Sequence, residues 1–268
     1  MYESQSPWVA LYHQLMDYDG GDAYADVLVP WASEHDGERQ WLADLAGRRG
    51  EDWGSDAGED LCRLYAAFRV ASALLLRFQE GDRDWEGPPL TVDGYRRFHE
   101  AMGFRVPQTA GFHPFHHEIV GVRQADDADA PIEIVEERWP PLMLGEMMFC
   151  RGGCVVSAGA SHVVKEIAEG STLFWASRRR DRPCADPSHG WGSNSQWRTP
   201  LRRDYATPAG FRYNVDGRES LDGRAGDVDG IPVEAMVEIV RHRCLVRTRL
   251  DDPDLHPYPY SCSEPAGG

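Results

Sequence analysis

Residues 111–122 read GFHPFHHEIVGV, and at this point the chain changes its periodicity. Before it, apolar side chains recur every three or four residues. Behind it comes a β-branched run, and the segments 112–123, 131–138, 142–150, 154–158 and 171–176 follow in close succession with the length and composition of strands. Strands after helices predict an α+β fold, a helical N-terminal region packed against a mainly antiparallel β-sheet or barrel.

The clearest helix is EDLCRLYAAFRVASALLLRFQEG, where Leu61, Leu64, Tyr65, Phe68, Leu75, Leu76 and Phe78 form one stripe that ends at Gly81. Shorter amphipathic stretches are PWVALYHQLMDY, ERQWLADLAGRRG with its glycine stop, and TVDGYRRFHEAMG with Thr91 as cap. A last helix is expected over PVEAMVEIVRHRCL, with Pro232 at its first turn. In CRGGC, Gly152 and Gly153 can take positive φ, which predicts a tight hairpin between Cys150 and Cys154. This gives residues 1–105 as a helical region and 106–250 as a β-rich core with a long aperiodic loop at 177–210. Residues 251–268 would be an extended tail, all in one integrated domain.

Acidic residues outnumber basic ones 44 to 28, a formal charge of -16 that disfavours a nucleic-acid partner. The chain shows neither the order of a secretory signal nor an apolar run of membrane-spanning length, so a cytoplasmic protein without a membrane partner is expected. The six cysteines are scattered, and a chain of this size needs no disulfide staples. Cys150, Cys154 and Cys184 with His189 could be drawn as a zinc site, but their spacing departs from the usual knuckles, and small partly buried thiols explain them more simply.

Three of the ten histidines and a glutamate fall within residues 113–118. On an extended strand His116 and Glu118 share a face about 7 Å apart, close enough to converge on one ion, whereas His113 and His117 stand about 13 Å apart on the other face. His116 and Glu118 would supply two ligands of a two-histidine, one-carboxylate site of the kind that leaves positions open on ferrous iron. His189 is the favoured third ligand, with His113, His117 and His162 as alternates. The loop SHGWGSNSQWRTPLRRDY then brings Asn194, Gln196, Arg198 and the Arg202–Arg203 pair, suited to a carboxylate or phosphate with Arg198 as clamp.

His189-Gly190, Gly192, Asn194, Ser195 and Arg198 resemble the distal end of the phytanoyl-CoA-type ferrous 2-oxoglutarate dioxygenases, and AGASH is similar to that family's Pro-Gly-Ser-His turn. The proximal pair departs from the family's His-x-Asp, because this chain has His116-x-Glu118. The resemblance implies a double-stranded β-helix, Fe(II), 2-oxoglutarate and hydroxylation of a small molecule.

The leading expectation is therefore a non-haem iron oxygenase with His116, Glu118 and His189 on the metal, and with Arg198 and Asn194 orienting an anionic substrate or co-substrate. Zinc and copper stand as alternative metals, and a zinc hydrolase would use the same ligands. A non-catalytic alternative is an acidic, immunity-type binding protein that neutralises a basic protein partner.

Overall fold

The structure is a computed structural model that describes residues 6–48, 53, 57–189, 197–250, 252 and 254–266. The first hundred residues form α1 (Pro7–Met16), α2 (Val29–Glu34), α3 (Asp36–Gly47), α4 (Ala57–Leu75) and α5 (Val92–Ala101). Then come β1 (His117–Gln124), β2 (Glu133–Trp139), β3 (Leu142–Leu144), β4 (Met147–Cys150), β5 (Gly152–Ala158), α6 (Lys165–Gly170), β6 (Leu173–Phe174) and β7 (Cys184–Ala185). The remainder forms β8 (Tyr205–Thr207), β9 (Gly210–Tyr213), β10 (Glu219–Ser220), β11 (Asp227–Val228), β12 (Ile231–Pro232), α7 (Val233–His242) and β13 (Tyr260–Pro265). This is an α+β fold with mixed and antiparallel sheets and, among the described residues, no closed barrel. No described helix is long and apolar enough to cross a membrane.

The helix α4 forms where its stripe predicts, with Glu59 and Asp60 in the first turn opposing the helix dipole. Leu64, Leu74 and Leu75 are fully buried, and each such side chain contributes about 1.5–3 kcal/mol on transfer from water. They join Trp8, Leu11 and Leu15 of α1 in a core that extends onto Phe149 of β4. Thr91 caps α5 as expected, its Oγ1 accepting from the Gly94 N–H at 3.0 Å.

Among the described residues the strands form four sheets: the pairs β6-β7 and β11-β12, and two larger sheets. Of the latter two, the smaller has order β1-β5-β2, with β1 parallel and β2 antiparallel to β5. The larger has order β10-β13-β9-β8-β4-β3. The hairpin expected at Gly152–Gly153 is made earlier, at Gly145, whose φ of 59° lets β3 turn into β4 with Leu144 opposite Met147. Arg151 alone separates β4 from β5, and there the chain passes from one sheet to the other. Gly152 and Gly153 serve close approach instead: a Cβ on Gly152 would sit 2.6 Å from Pro141 Cδ, and one on Gly153 2.4 Å from the Trp139 ring.

The expected tail is also corrected. Tyr260–Pro265 is a strand between β9 and β10, with Tyr260 and Cys262 buried in alternation. Its Ser- and Pro-rich composition hides that alternation of two.

The open edge of β1 is closed by side chains. Glu169 Oε1 accepts from the Val122 N–H at 2.8 Å, and Lys165 Nζ donates to the Val122 carbonyl at 3.0 Å. The two side chains pair with each other across one turn of α6. They thus take the hydrogen bonds that a neighbouring strand would make, and so blunt an aggregation-prone edge. The Glu169→Ala variant is expected to lose about 2 kcal/mol and to scatter light on incubation where the parent stays clear.

Candidate functional site

Residues 197–204, WRTPLRRD, run back across the start of α4, where the Leu201 N–H donates to the Leu61 carbonyl at 3.0 Å. Trp197 anchors the segment, with the Arg69 guanidinium 3.9 Å above its ring and Tyr12 edge-on at 5.2 Å. Behind this anchor lies a cleft of about 410 Å³ walled by Leu61, Trp175, Pro187, Leu201 and Tyr258, with Arg202 and Asn214 beneath. A neighbouring hollow of about 510 Å³ shares Gly58 and Pro200 with it and carries Glu59, Cys62 and Arg198.

Arg202 is buried and occupied on two sides. Its Nε donates to Asp204 Oδ1 at 2.8 Å and its Nη2 to the Val240 carbonyl at 2.6 Å, while its plane stacks 4.1 Å above Trp175. Its Nη1 is buried with no hydrogen-bond partner among the described residues. Asp204 also accepts from Arg243 Nη2 at 3.0 Å and from the Asn214 N–H at 2.7 Å. Burial alone would raise the Asp204 carboxyl, but Arg202 and Arg243 outweigh it and hold it at about 2. Burial pulls the Arg202 guanidinium down to about 10 in spite of Asp204.

Backbone strain gathers at the same place. The described residues outside glycine with positive φ are Trp175 (52°), Asn214 (51°), Asp229 (51°) and Arg243 (62°). The first lies under Arg202, and the second and fourth bind Asp204 directly. Such conformations cost on the order of 1–3 kcal/mol each and cluster where geometry matters for binding or chemistry.

The histidine cluster is built differently from the expectation. The N–H groups of His116 and His117 both donate to the His113 carbonyl, at 3.0 and 2.9 Å, so residues 113–117 make a helical turn and the strand starts only at His117. The alternation that paired His116 with Glu118 therefore does not exist. Glu118 is buried, and both its oxygens are gripped by Arg179, Nε at 2.8 Å and Nη2 at 2.9 Å. Burial raises its carboxyl, and Arg179 more than reverses that, to about 2. The His116 ring packs against Phe115 and Phe211, at 5.0 and 5.7 Å between centroids.

His117 Nδ1 accepts from the His113 N–H at 3.1 Å, and His113 Nδ1 from the Phe115 N–H at 3.2 Å, which assigns their protons to Nε2. These imidazoles serve the turn by taking backbone donors. His162 is exposed beside Asp129, 3.3 Å from its carbonyl. His189 is exposed at the end of the turn Pro187–His189, whose Pro187 walls the cleft. Arg198 is exposed in the neighbouring hollow, and Asn194 lies outside the described residues. Among the described residues no three His, Cys, Asp or Glu side chains are grouped to hold a metal ion.

Ser188, adjacent to His189, belongs to another network: the Tyr65 hydroxyl lies 2.6 Å from Ser188 Oγ and 2.8 Å from Asp186 Oδ1. Burial and Asp186 push the Tyr65 phenol well up, so it is no base for the serine. The sequence pointed to Arg198 and the Arg202–Arg203 pair but missed Trp175, Asp204, Asn214, Arg243 and Tyr258. Of these only Asp204 falls inside the segment that drew attention.

Neutral imidazoles also set an acid limit on the fold. His99 is fully buried, its ring N–H donating to the Tyr95 carbonyl, and burial lowers it to about 4. Burial likewise lowers His117 to about 4. The unfolded chain binds these protons near pH 6.5 and the folded chain only near 4, so the stability they give is full above 6.5 and lost as pH falls through that window. Glu118 and Asp204, held near 2 in the folded protein, keep their charge there across that window. His99 alone accounts for about 3 kcal/mol over the whole window, and urea unfolding at pH 7 and pH 4.5 is expected to show at least that loss.

Comparison with family models, with curated proteins and with solved structures finds no match to this chain.

Proposed function

We propose that the protein binds an organic anion in the Arg202 cleft. The observation that carries this reading is a charge surplus: Arg202 and Arg243, both buried, share the single carboxylate of Asp204, Arg202 lines the cleft, and its buried Nη1 has no hydrogen-bond partner among the described residues. A buried guanidinium without a counter-ion is costly, and an anionic ligand removes the cost. The chain as a whole is strongly acidic, so a positive cleft floor runs against its average composition. The apolar walls fit a small molecule with a non-polar body. The iron reading through His116, Glu118 and His189, with 2-oxoglutarate, has no such support, because Arg179 already occupies Glu118.

The test is thermal and chemical unfolding in the presence of acetate, benzoate, 2-naphthoate and phosphate, for the parent chain and for Arg202→Met. At a hundredfold excess over its Kd, a bound anion adds about 2.7 kcal/mol. At least one anion is expected to stabilise the parent and not the variant. Equal response of both chains to every anion defeats the reading.

A further inference from the structure

The two edges of the sheet β1-β5-β2 are finished differently. Lys165 and Glu169 close the β1 edge by taking up the backbone groups of Val122. At the other edge, β2 pairs with β5 on one side only. On its outer side no described strand pairs with it, and no described loop donates to or accepts from the backbone of residues 133–138. Such an edge is a row of unpaired N–H and C=O groups, the template that strand addition uses in peptide recognition.

The side chains along β2 decide which strand fits. Residues 126–137 carry Asp126, Asp127, Asp129, Glu133, Glu136 and Glu137 and no lysine or arginine. Glu136 is held by Arg138 at 3.1 Å, whereas Glu133 and Glu137 are exposed and have no ion-pair partner among the described residues. Between them stands Val135, one of the few large apolar side chains left exposed. A second copy of the chain is refused here, because an antiparallel pair centred on Val135 sets Glu133 against Glu137, and like charges directly opposite destabilise a ladder. The same carboxylates attract a strand of opposite charge, so the guard against self-pairing selects a basic partner. The bulges of β2 at Val135 and Arg138 keep the added ladder short.

We infer that β2 is the docking edge for an extended basic segment of a partner protein, with Lys or Arg opposite Glu133 and Glu137 and an apolar residue opposite Val135. The edge shares no residue with the Arg202 cleft, and neither reading depends on the other.

The probe is the capped peptide Lys-Thr-Arg-Thr-Val-Thr-Arg-Thr-Lys, which reads the same in both directions and so suits either strand orientation. Its control carries Glu in place of every Lys and Arg. Binding to the full chain, and to the double variant Glu133→Lys with Glu137→Lys, is measured by titration calorimetry, and the complex is followed by hydrogen exchange. The basic peptide is expected to bind the parent at least about tenfold tighter than the acidic control, and at least about tenfold tighter than it binds the double variant, whose melting temperature stays that of the parent. In the complex, amides within residues 133–138 are expected to exchange at least about tenfold more slowly, while those of β9 in the larger sheet are unchanged. Binding without that protection is charge attraction alone and overturns strand addition. Equal binding of both peptides, equal binding by both chains, or no binding overturns the basic partner. A parent chain that sediments as a dimer, with the double variant a monomer, assigns the edge to a second copy and overturns it as well.

Discussion

Asp204→Ala is expected to lower stability by about 3–5 kcal/mol, read as a fall in the urea midpoint at constant slope. Asp204 is the meeting point of Arg202, Arg243 and the Asn214 N–H, all inside the protein. Without the carboxylate, two guanidinium groups face one another in a dry environment, and the Asn214 amide loses its acceptor. Asp204→Asn keeps the shape and an acceptor oxygen but not the charge, so it should cost nearly as much. Arg202→Met must be the milder change. It deletes the surplus cation, leaves Asp204 with Arg243, and places an apolar side chain against Trp175. A reversed order, with Arg202→Met worse than Asp204→Ala, would show that the charge count around the cleft is wrong.

Glu118→Gln should be of similar size, again about 3–5 kcal/mol, because it strands Arg179 in the interior. The informative comparison is the double variant Glu118→Leu with Arg179→Leu. Removing both charges together avoids the stranded ion, and most of the lost stability is expected to return, a coupling that a double-mutant cycle reads directly. A metal ligand behaves otherwise: its loss would leave the stability of the metal-free chain nearly unchanged, and Arg179→Leu would not compensate. A Glu118→Gln protein as stable as the parent would therefore reopen the iron site that the sequence suggested.

The pattern of success and failure along the chain has physical reasons. The α4 stripe and the Thr91 cap were legible because they depend on residues a few positions apart. The glycines of CRGGC were legible as special but not in kind. A glycine is required either by a positive φ, as at Gly145, or by a neighbour's approach, as at Gly153, and only the arrival of Trp139 tells the two apart. The histidines failed on a single residue of register: once His116 falls in a turn ahead of the strand, its face no longer has anything to do with that of Glu118. The cleft was half legible. The arginine-rich segment announced itself, but Trp175 comes from before it and Asn214, Arg243 and Tyr258 from after it, and nothing local ties these four together.

The one-residue passage at Arg151 has a mechanical consequence. A link of that length holds no slack, and the Arg151 side chain is itself tethered within the protein, Nη1 donating to the carbonyls of Pro114 and Arg241. Movement of one sheet against the other would have to break these two bonds, which resists fraying at their junction. Amides in β4 and β5 are therefore expected to exchange with solvent through one shared opening.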